Sequence, residues 1–380
     1  MASKELLLRI ARMSHASLLT NEEIAEKLFA EKILTSRNTK RVRELIDEAV
    51  VYLLTEHETF EAAERGEKHL RLLESRLCKK FGLLDARVHP AGEPHSAAEY
   101  AGLLKRYGRT AAAYFDEISS TAEDNGEQLH VAVSGGQTIL DMVSHLAERR
   151  RPNVHYYSAA LIGRGGERAS VHIGPETNAS VAWSRSGRIP QHLFYGTVPP
   201  YDFKGEDRKG IPKKQIHNWV RGEILKQVKG FAATEAIGTV LKLTFQNVNM
   251  AIAGLGLVRP STIDADYGTS HVERITMTNL LKPLGIDLDC LAEEGACGEI
   301  SYCMFDRKGR GNPRWNFFAM PGEGTPYSGV EFYRRLVDQG KRVIVIAGAR
   351  KWDALVPAIN ARLFNVLITD AHTAHRLLIG

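Results

Sequence analysis

One decapeptide limits what this chain can fold into more than any other stretch. Residues 129–133 read Leu-His-Val-Ala-Val, residues 134–138 read Ser-Gly-Gly-Gln-Thr, and an amphipathic pattern then runs from Ile139 to Arg149. A short apolar run, a glycine pair and a helical pattern predict a buried strand that turns sharply into a helix. The theme recurs. Buried-strand candidates at 156–162, 249–253, 343–347 and 365–369 are followed by Gly163-Arg164, Gly254-Leu255-Gly256, Gly348-Ala349-Arg350-Lys351 and Asp370. Helical patterns lie between or after several of these runs. Strands apolar on both faces, alternating with helices, predict an α/β domain with a mainly parallel, Rossmann-like sheet covered on both sides.

That architecture says where a ligand goes. Open parallel sheets bind ligands outside the carboxyl ends of their strands. There, Ser134, Gly135, Gly136, Gln137 and Thr138 form a turn whose backbone amides and helix N-terminus suit an anion, with the Ser134 and Thr138 hydroxyls as further donors. The turn lacks the Gly-Lys-Ser/Thr of a P-loop and is not GxGxxG. A purely structural strand-to-helix turn fits the same residues. Gly163, Arg164, Gly254, Gly256, Arg350 and Lys351 are expected at neighbouring strand ends, where Arg164 and Lys351 can neutralise phosphate. Gly295-Ala-Cys-Gly-Glu299-Ile300 places a carboxylate after a glycine turn, able to bind sugar hydroxyls. Asp370 fits a helix cap or a group facing the ligand, and we read it as the cap.

No metal or cofactor is expected. Cys78, Cys290, Cys297 and Cys303 form no CxxC pair and read as reduced structural thiols. His372 and His375 stand one helical turn apart without a third ligand and read as surface residues. Trp183, Trp219, Trp315 and Trp352 fit either core or pocket. Residues 164–215 are rich in Gly, Pro and charge and read as long loops.

The N-terminal segment is of another kind. Leu6, Leu7, Ile10 and Met13 predict a first helix over 4–15; Thr20-x-x-Glu23 is a capping box for a second. Ser36 is placed to cap a third helix, with Val42, Leu45, Ile46 and Ala49 inward, and 50–55 reads as extended. Ser36, Arg37, Asn38, Thr39, Lys40, Arg41 and Arg43 make a basic, polar segment at the start of that helix. Three short helices and a strand outline a winged helix-turn-helix whose last helix enters the major groove. A small helical bundle with a solvated basic face fits the same pattern. The amphipathic stretch 61–81, with Leu70, Leu73, Leu77 and Phe81 on one stripe, suits a linker helix, a dimer seam or a face packed on the chain's own C-terminal domain. Pro90–Pro94 reads as a loop, and a further amphipathic helix is expected over 97–118.

Bulk properties add limits. A chain of 380 residues predicts more than one domain; we divide it into 1–60 (DNA-binding), 61–95 (linker helix and connection) and 96–380 (effector). Hydrophobic content of 43% with 25% charged residues is ordinary for a globular protein. No run approaches the ~20 apolar residues of a membrane span, and no signal pattern opens the chain, so a cytoplasmic location away from membranes is expected.

Taken in order, Val133-Ser-Gly-Gly-Gln-Thr138, Met250-Ala-Ile-Ala-Gly-Leu-Gly256, Gly295-Ala-Cys-Gly-Glu-Ile300, Ala347-Gly-Ala-Arg-Lys351 and Asn365-Val-Leu-Ile-Thr-Asp-Ala-His-Thr-Ala374 resemble the SorC family of bacterial sugar-responsive transcription regulators. Leu73-Glu74, Leu77 and Phe81-Gly-Leu83 are similar in the linker, so the resemblance spans nearly the whole chain. It implies a winged helix-turn-helix joined to a domain related to sugar-phosphate isomerases and deaminases, a phosphosugar effector, an operator and a dimer or tetramer. It puts phosphate at Ser134–Thr138, a basic contact at Lys351 and sugar hydroxyls near Glu299. This chain departs from the pattern at Gln137, where relatives often carry Arg, at Glu299 in place of Asp, and at Ala347 in place of Gly. The Ser36-Arg37 motif is out of step with Val42 by about two residues relative to the family's usual spacing. Three functions stay open: a ligand-controlled DNA-binding regulator; an isomerase- or deaminase-like enzyme with Glu299 as acid–base and Lys351 stabilising an enediolate; and a sensor that has lost DNA binding.

Overall fold

The computed structural model describes residues 4–11, 13, 21–34, 36, 38–55, 60–91, 97–160, 174–187, 235–258, 288–315 and 329–379, with isolated positions between 219 and 234. Its centre is a sheet of order β1-β8-β7-β4-β2-β3. The strands are β1 (Asp85–His89), β2 (Leu129–Val133), β3 (Val154–Ser158), β4 (Met250–Leu257), β7 (Arg342–Ile346) and β8 (Val366–Asp370), and every pairing among them is parallel. Such strands are apolar on both faces because both are covered. Val131 and Val133 face one core with α5 (Ala97–Asp124), α6 (Gln137–Ser144) and α7 (Pro175–Arg185); Ala132, Val343 and Val345 face the other. On that second side lie α10 (Val330–Asp338), α11 (Trp352–Asn360) and α12 (Ala371–Ile379). Two further helices, α8 (Glu235–Asn247) and α9 (Leu288–Glu293), precede β4 and the hairpin β5 (Ala296–Ile300)–β6 (Cys303–Asp306) respectively.

After β2 the chain passes through α6 to β3 at the sheet edge, then returns to the other side of β2 as β4. The strand order therefore reverses between β2 and β4, the place where open sheets leave a crevice at their carboxyl ends.

The strands expected after residue 128 are all present: β3 is Val154–Ser158 against the expected 156–162, β4 is Met250–Leu257 against 249–253, and β7 and β8 are each displaced by one residue. Three readings change. Gly254-Leu255-Gly256 is not a strand-end loop: β4 runs through it, pairing with β7 up to Gly254 and antiparallel to β5 from Leu255. Likewise Glu299 lies inside β5, not in a loop. Residues 175–185, read as part of a long loop, form α7, with Pro175 at its first turn and Ala179, Ala182 and Trp183 buried at helical spacing. The loop-like composition came from the flanks, which lie outside the described residues. Trp183 and Trp315 are core; Trp219 and Trp352 are half-buried against it.

At the N-terminus α1 is Lys4–Ala11, α2 Asn21–Ala30 and α3 Thr39–Thr55, joined through Ile10, Ile24, Leu28, Val42 and Ile46. Thr20 of the capping box lies outside the described residues. Residues 50–55 are helical, which corrects the extended reading. Val42, Leu45, Ile46, Ala49, Val50 and Leu53 keep a 3.6-residue period, and propagating a formed helix costs less than ending it at a β-branched pair. Asn38, not Ser36, caps α3: the Arg41 amide donates to Asn38 Oδ1 at 3.1 Å. The linker helix α4 (Phe60–Phe81) buries Leu73 and Leu77 against the C-terminal half, on β1 and α12.

His372 and His375 are buried, contrary to the surface reading. α12 packs on β8 and on α4, and its first five residues, His372 and His375 among them, are buried, while Arg376 and Leu378 are half-buried and Ile379 is exposed. Burial, then His69, His372 and Arg76, push the His375 pKa down to about 3; burial and Arg76 push His69 of α4 down to about 4. No helix among the described residues is long and apolar enough to cross a membrane.

Candidate ligand-binding site

The turn after β2 is fixed from behind. The Ser134 amide donates to Ile252 O at 3.0 Å, and its hydroxyl donates to Gly135 O at 2.9 Å. Asn178 of α7, fully buried, donates from Nδ2 to Ser134 O at 2.9 Å and Gly136 O at 3.3 Å. Gly136 takes φ 103° and opens α6 without a side-chain cap, leaving the first-turn amides to an outside acceptor. Gln137 is exposed and runs along the helix, its Nε2 3.2 Å from Asp141 Oδ1. It does not line the cavity described next.

That cavity opens at the carboxyl ends of β4, β7 and β8. Gly254 and Leu255 form one side, Ile346, Ala347 and Gly348 the floor, and Thr138 reaches it from α6. One wall is the stripe Tyr100, Leu103, Leu104 and Tyr107 of α5. The turn after β7 contributes Arg350 and Lys351. Lys351 is buried at the N-cap position of α11, and the Arg350 guanidinium lies over the Tyr100 ring, 4.4 Å from its centroid.

The acidic member of the lining, Asp370, is already committed. It accepts from the Thr373 amide at 2.7 Å and the Thr373 hydroxyl at 2.5 Å, capping α12 as the sequence suggested, and from the buried Tyr107 hydroxyl. Burial, then Asp370 itself, raise the Tyr107 pKa far above the phenolic range, so this hydroxyl stays a donor. Gly348 is glycine for reasons of space. A Cβ there would stand 2.1 Å from Tyr107 Oη and 3.0 Å from Asp370 Oδ2. Two cations against one engaged carboxylate, beside the N-termini of α6 and α11, make the cavity a seat for an anion.

Glu299 sits in the hairpin sheet. It pairs with Gly256 across β4 and β5, and a Cβ on Gly256 would lie 2.2 Å from Glu299 Oε1, so the carboxyl is folded over that glycine. The Tyr302 amide donates to its other oxygen. The two-residue turn Ser301–Tyr302 has φ of 47° and 67°, the left-handed geometry of a tight hairpin, built here without glycine. Burial pushes the Glu299 pKa up to about 7 against the pull of the Tyr302 amide, so the group can donate or accept a proton near neutrality. Burial also raises the Tyr302 pKa, with Glu299 and Glu176 of α7 adding to it. The hairpin turn thus stands by the start of the helix that holds the Ser134–Gly136 turn.

Of the residues expected from sequence, the structure gathers Thr138, Gly254, Arg350 and Lys351 around one cavity, with Ser134, Gly135 and Gly136 behind it. Gly256 and Glu299 form a neighbouring centre, and Gly163 and Arg164 lie outside the described residues. Sequence reasoning missed Asn178, Tyr100, Leu103, Leu104 and Tyr107 as parts of the site. The α5 stripe was visible as i, i+3, i+4, i+7 spacing, but that pattern reads equally as core.

On the N-terminal helices Lys40 and Arg43 are exposed, Thr39 is half-buried, and Arg41 pairs with Glu44 at 2.9 Å and Glu48 at 3.7 Å. Ser36 is exposed, its carbonyl 2.8 Å from the Asn38 amide; Arg37 lies outside the described residues.

Residues 226–379 match the family model described as "Putative sugar-binding domain", a segment that holds β4, Glu299, Lys351 and α12. No curated protein matches the chain. Among solved structures it is similar to the full-length sorbitol operon regulator SorC from Klebsiella pneumoniae, at 17% identity over 99% of this chain and 100% of that one, with a TM-score of 0.54. A transcriptional regulator from Streptococcus pneumoniae gives 16% identity, 82% and 97% coverage and 0.56. A DeoR family transcriptional regulator from Listeria monocytogenes gives 18%, 82%, 99% and 0.51. What the chain shares with these structures is a mixed α/β fold. The family-model match over residues 226–379 is in line with the resemblance read from the motifs.

Proposed function

We propose that this protein is a ligand-responsive, DNA-binding transcription regulator whose effector is a phosphorylated sugar or a related anionic metabolite. The observation that carries the effector half is the cavity at the strand ends, where Arg350 and Lys351 outweigh an Asp370 already held by Tyr107 and Thr373. The sugar-binding domain match over residues 226–379, which hold Arg350, Lys351 and Asp370, supports it. Phosphate is assigned to the α6 and α11 N-termini with Lys351 and Thr138, and sugar hydroxyls to the side facing Glu299. The DNA half rests on α2 and α3 as a helix-turn-helix, with Lys40, Arg41 and Arg43 toward the phosphates and α3 in the major groove. Residues 1–60 would read DNA, 61–95 link, and 96–380 sense, with β1 of the linker segment completing the sheet edge. The protein would act in the cytoplasm as a dimer or tetramer on a pseudo-palindromic operator.

No catalytic role is assigned. Glu299 has an acid–base pKa, but among the described residues it does not line the cavity that holds Lys351, as a proton transfer with enediolate stabilisation requires. Two measurements test the proposal. A thermal-shift screen of phosphorylated sugars and sugar acids should give a rise in melting temperature for at least one of them, because a ligand selective for the folded state stabilises it. Fluorescence anisotropy on upstream DNA should show salt-sensitive binding that the same ligand alters. Absence of DNA binding at low salt overturns the regulator reading.

A further inference from the structure

The cavity and the N-terminal helices share one element, α12. Its first turn is built on the cavity wall: Asp370 lines the cavity and also caps α12 through the Thr373 amide and hydroxyl. Its last turn is held by the linker helix. Lys80 of α4 donates from Nζ to Leu377 O at 2.8 Å and Leu378 O at 3.1 Å, two of the carbonyls that a helix end leaves without an intrahelical donor. Between these points His372 and His375 of α12 are buried against α4, whose His69 and Arg76 are near enough to act on His375 electrostatically. α3 packs on both α12 and α4.

We propose that α12 carries the state of the cavity to the linker helix, with Asp370 as the sensing end and Lys80 as the positioning residue at the other. The proposal rests on the reading of the cavity as an anion site. An anion held by Arg350 and Lys351 takes up positive charge that otherwise acts on Asp370. It thereby changes how that carboxylate divides between the Tyr107 hydroxyl and the Thr373 donors. Since the Thr373 bonds are the cap, the tightness of the first turn of α12 follows the occupancy of the cavity. A helix capped at one end by the cavity and at the other by Lys80 passes that change to α4, the segment that follows α3 in the chain.

Hydrogen–deuterium exchange on the full-length protein, with and without saturating inorganic phosphate as probe, tests this. Wild type should show protection at 134–140 and 346–351, and with it a several-fold change in exchange across 371–379 and 67–81. In Lys80→Ala, a change at an exposed side chain, the cavity segments should still be protected while the response of 67–81 falls to a small fraction of wild type. Lys80→Arg, which keeps a donor at the helix end, should restore it. Asp370→Asn without phosphate should raise exchange in both 371–379 and 67–81. Protection confined to the cavity segments, or a response of 67–81 in Lys80→Ala equal to wild type, overturns the proposal and leaves the anion site standing. No protection anywhere overturns the anion site and the proposal with it.

Discussion

The two centres at the strand ends differ in how they treat charge. The cavity between β4, β7 and β8 gathers cations and helix N-termini and spends its carboxylate on internal hydrogen bonds. The β5–β6 hairpin does the reverse: it buries one carboxyl, gives it a single backbone donor and leaves it near neutral. The lesson is that electrostatic role follows from the element that presents a residue. Asp370 ends a parallel strand and opens a helix, where amides stabilise a negative charge; Glu299 lies within an antiparallel strand, whose amides are taken by the ladder.

The largest effect that would sharpen this contrast is at Gly348. Gly348→Ala sets a methyl against Tyr107 Oη and Asp370 Oδ2, and Tyr107 is buried and cannot swing away. Urea unfolding should show a loss of about 3 kcal/mol; a loss below ~1 would mean that the Tyr107–Asp370 pair is loosely held. Next is Lys351→Met, which keeps the stem and removes the charge. Calorimetry should show anion affinity falling about 30-fold, or ~2 kcal/mol, and unchanged affinity would move the anion seat elsewhere.

For the hairpin the prediction is a pH dependence. The Glu299 pKa in the folded protein, about 7, lies above its unfolded value, so the folded form holds its proton longer than the unfolded one does. Stability from this group is therefore greatest below the unfolded pKa and falls as pH rises through the folded one, by on the order of 2 kcal/mol between pH 4.5 and 7. Denaturation midpoints at pH 5 and 8 should show that fall in wild type and its loss in Glu299→Gln; equal slopes in the two proteins would place the carboxyl in water. The smallest effect is at Gln137. Its side chain pairs with Asp141 on the outer face of α6, so Gln137→Ala should change stability and phosphate affinity by less than about 0.5 kcal/mol. A larger affinity loss would bring Gln137 into the site, as its place in the motif had suggested.

Much of the fold could be read from the residues because buried parallel strands are apolar runs, and short runs bounded by glycine leave few alternatives. β1, β5 and β6 could not. Asp85–His89 carries charge because β1 is an edge strand, and Ala-Cys-Gly-Glu-Ile has the composition of a loop. The extended reading of 50–55 failed because β propensity is a weak signal beside a continuing helical period. In the site, Thr138, Gly254, Arg350 and Lys351 were visible through their place after strands. Tyr107 and Asn178 were not: each contributes through hydrogen bonds to residues far away in sequence, one from Tyr107 and two from Asn178, and no local pattern records that.

The sequence by itself determined the parallel sheet, the turn at Ser134–Thr138 and the cationic end of β7, since each follows from the local order of apolar residues, glycines and charges. Only the tertiary structure decided which carboxylate meets which partner. It folded Glu299 over Gly256, sealed His372 and His375 against α4, and set Asp370 between a tyrosine and a helix start. The ionisation of such groups depends on what water they lose and which donors they gain, and both are fixed by segments distant in the chain.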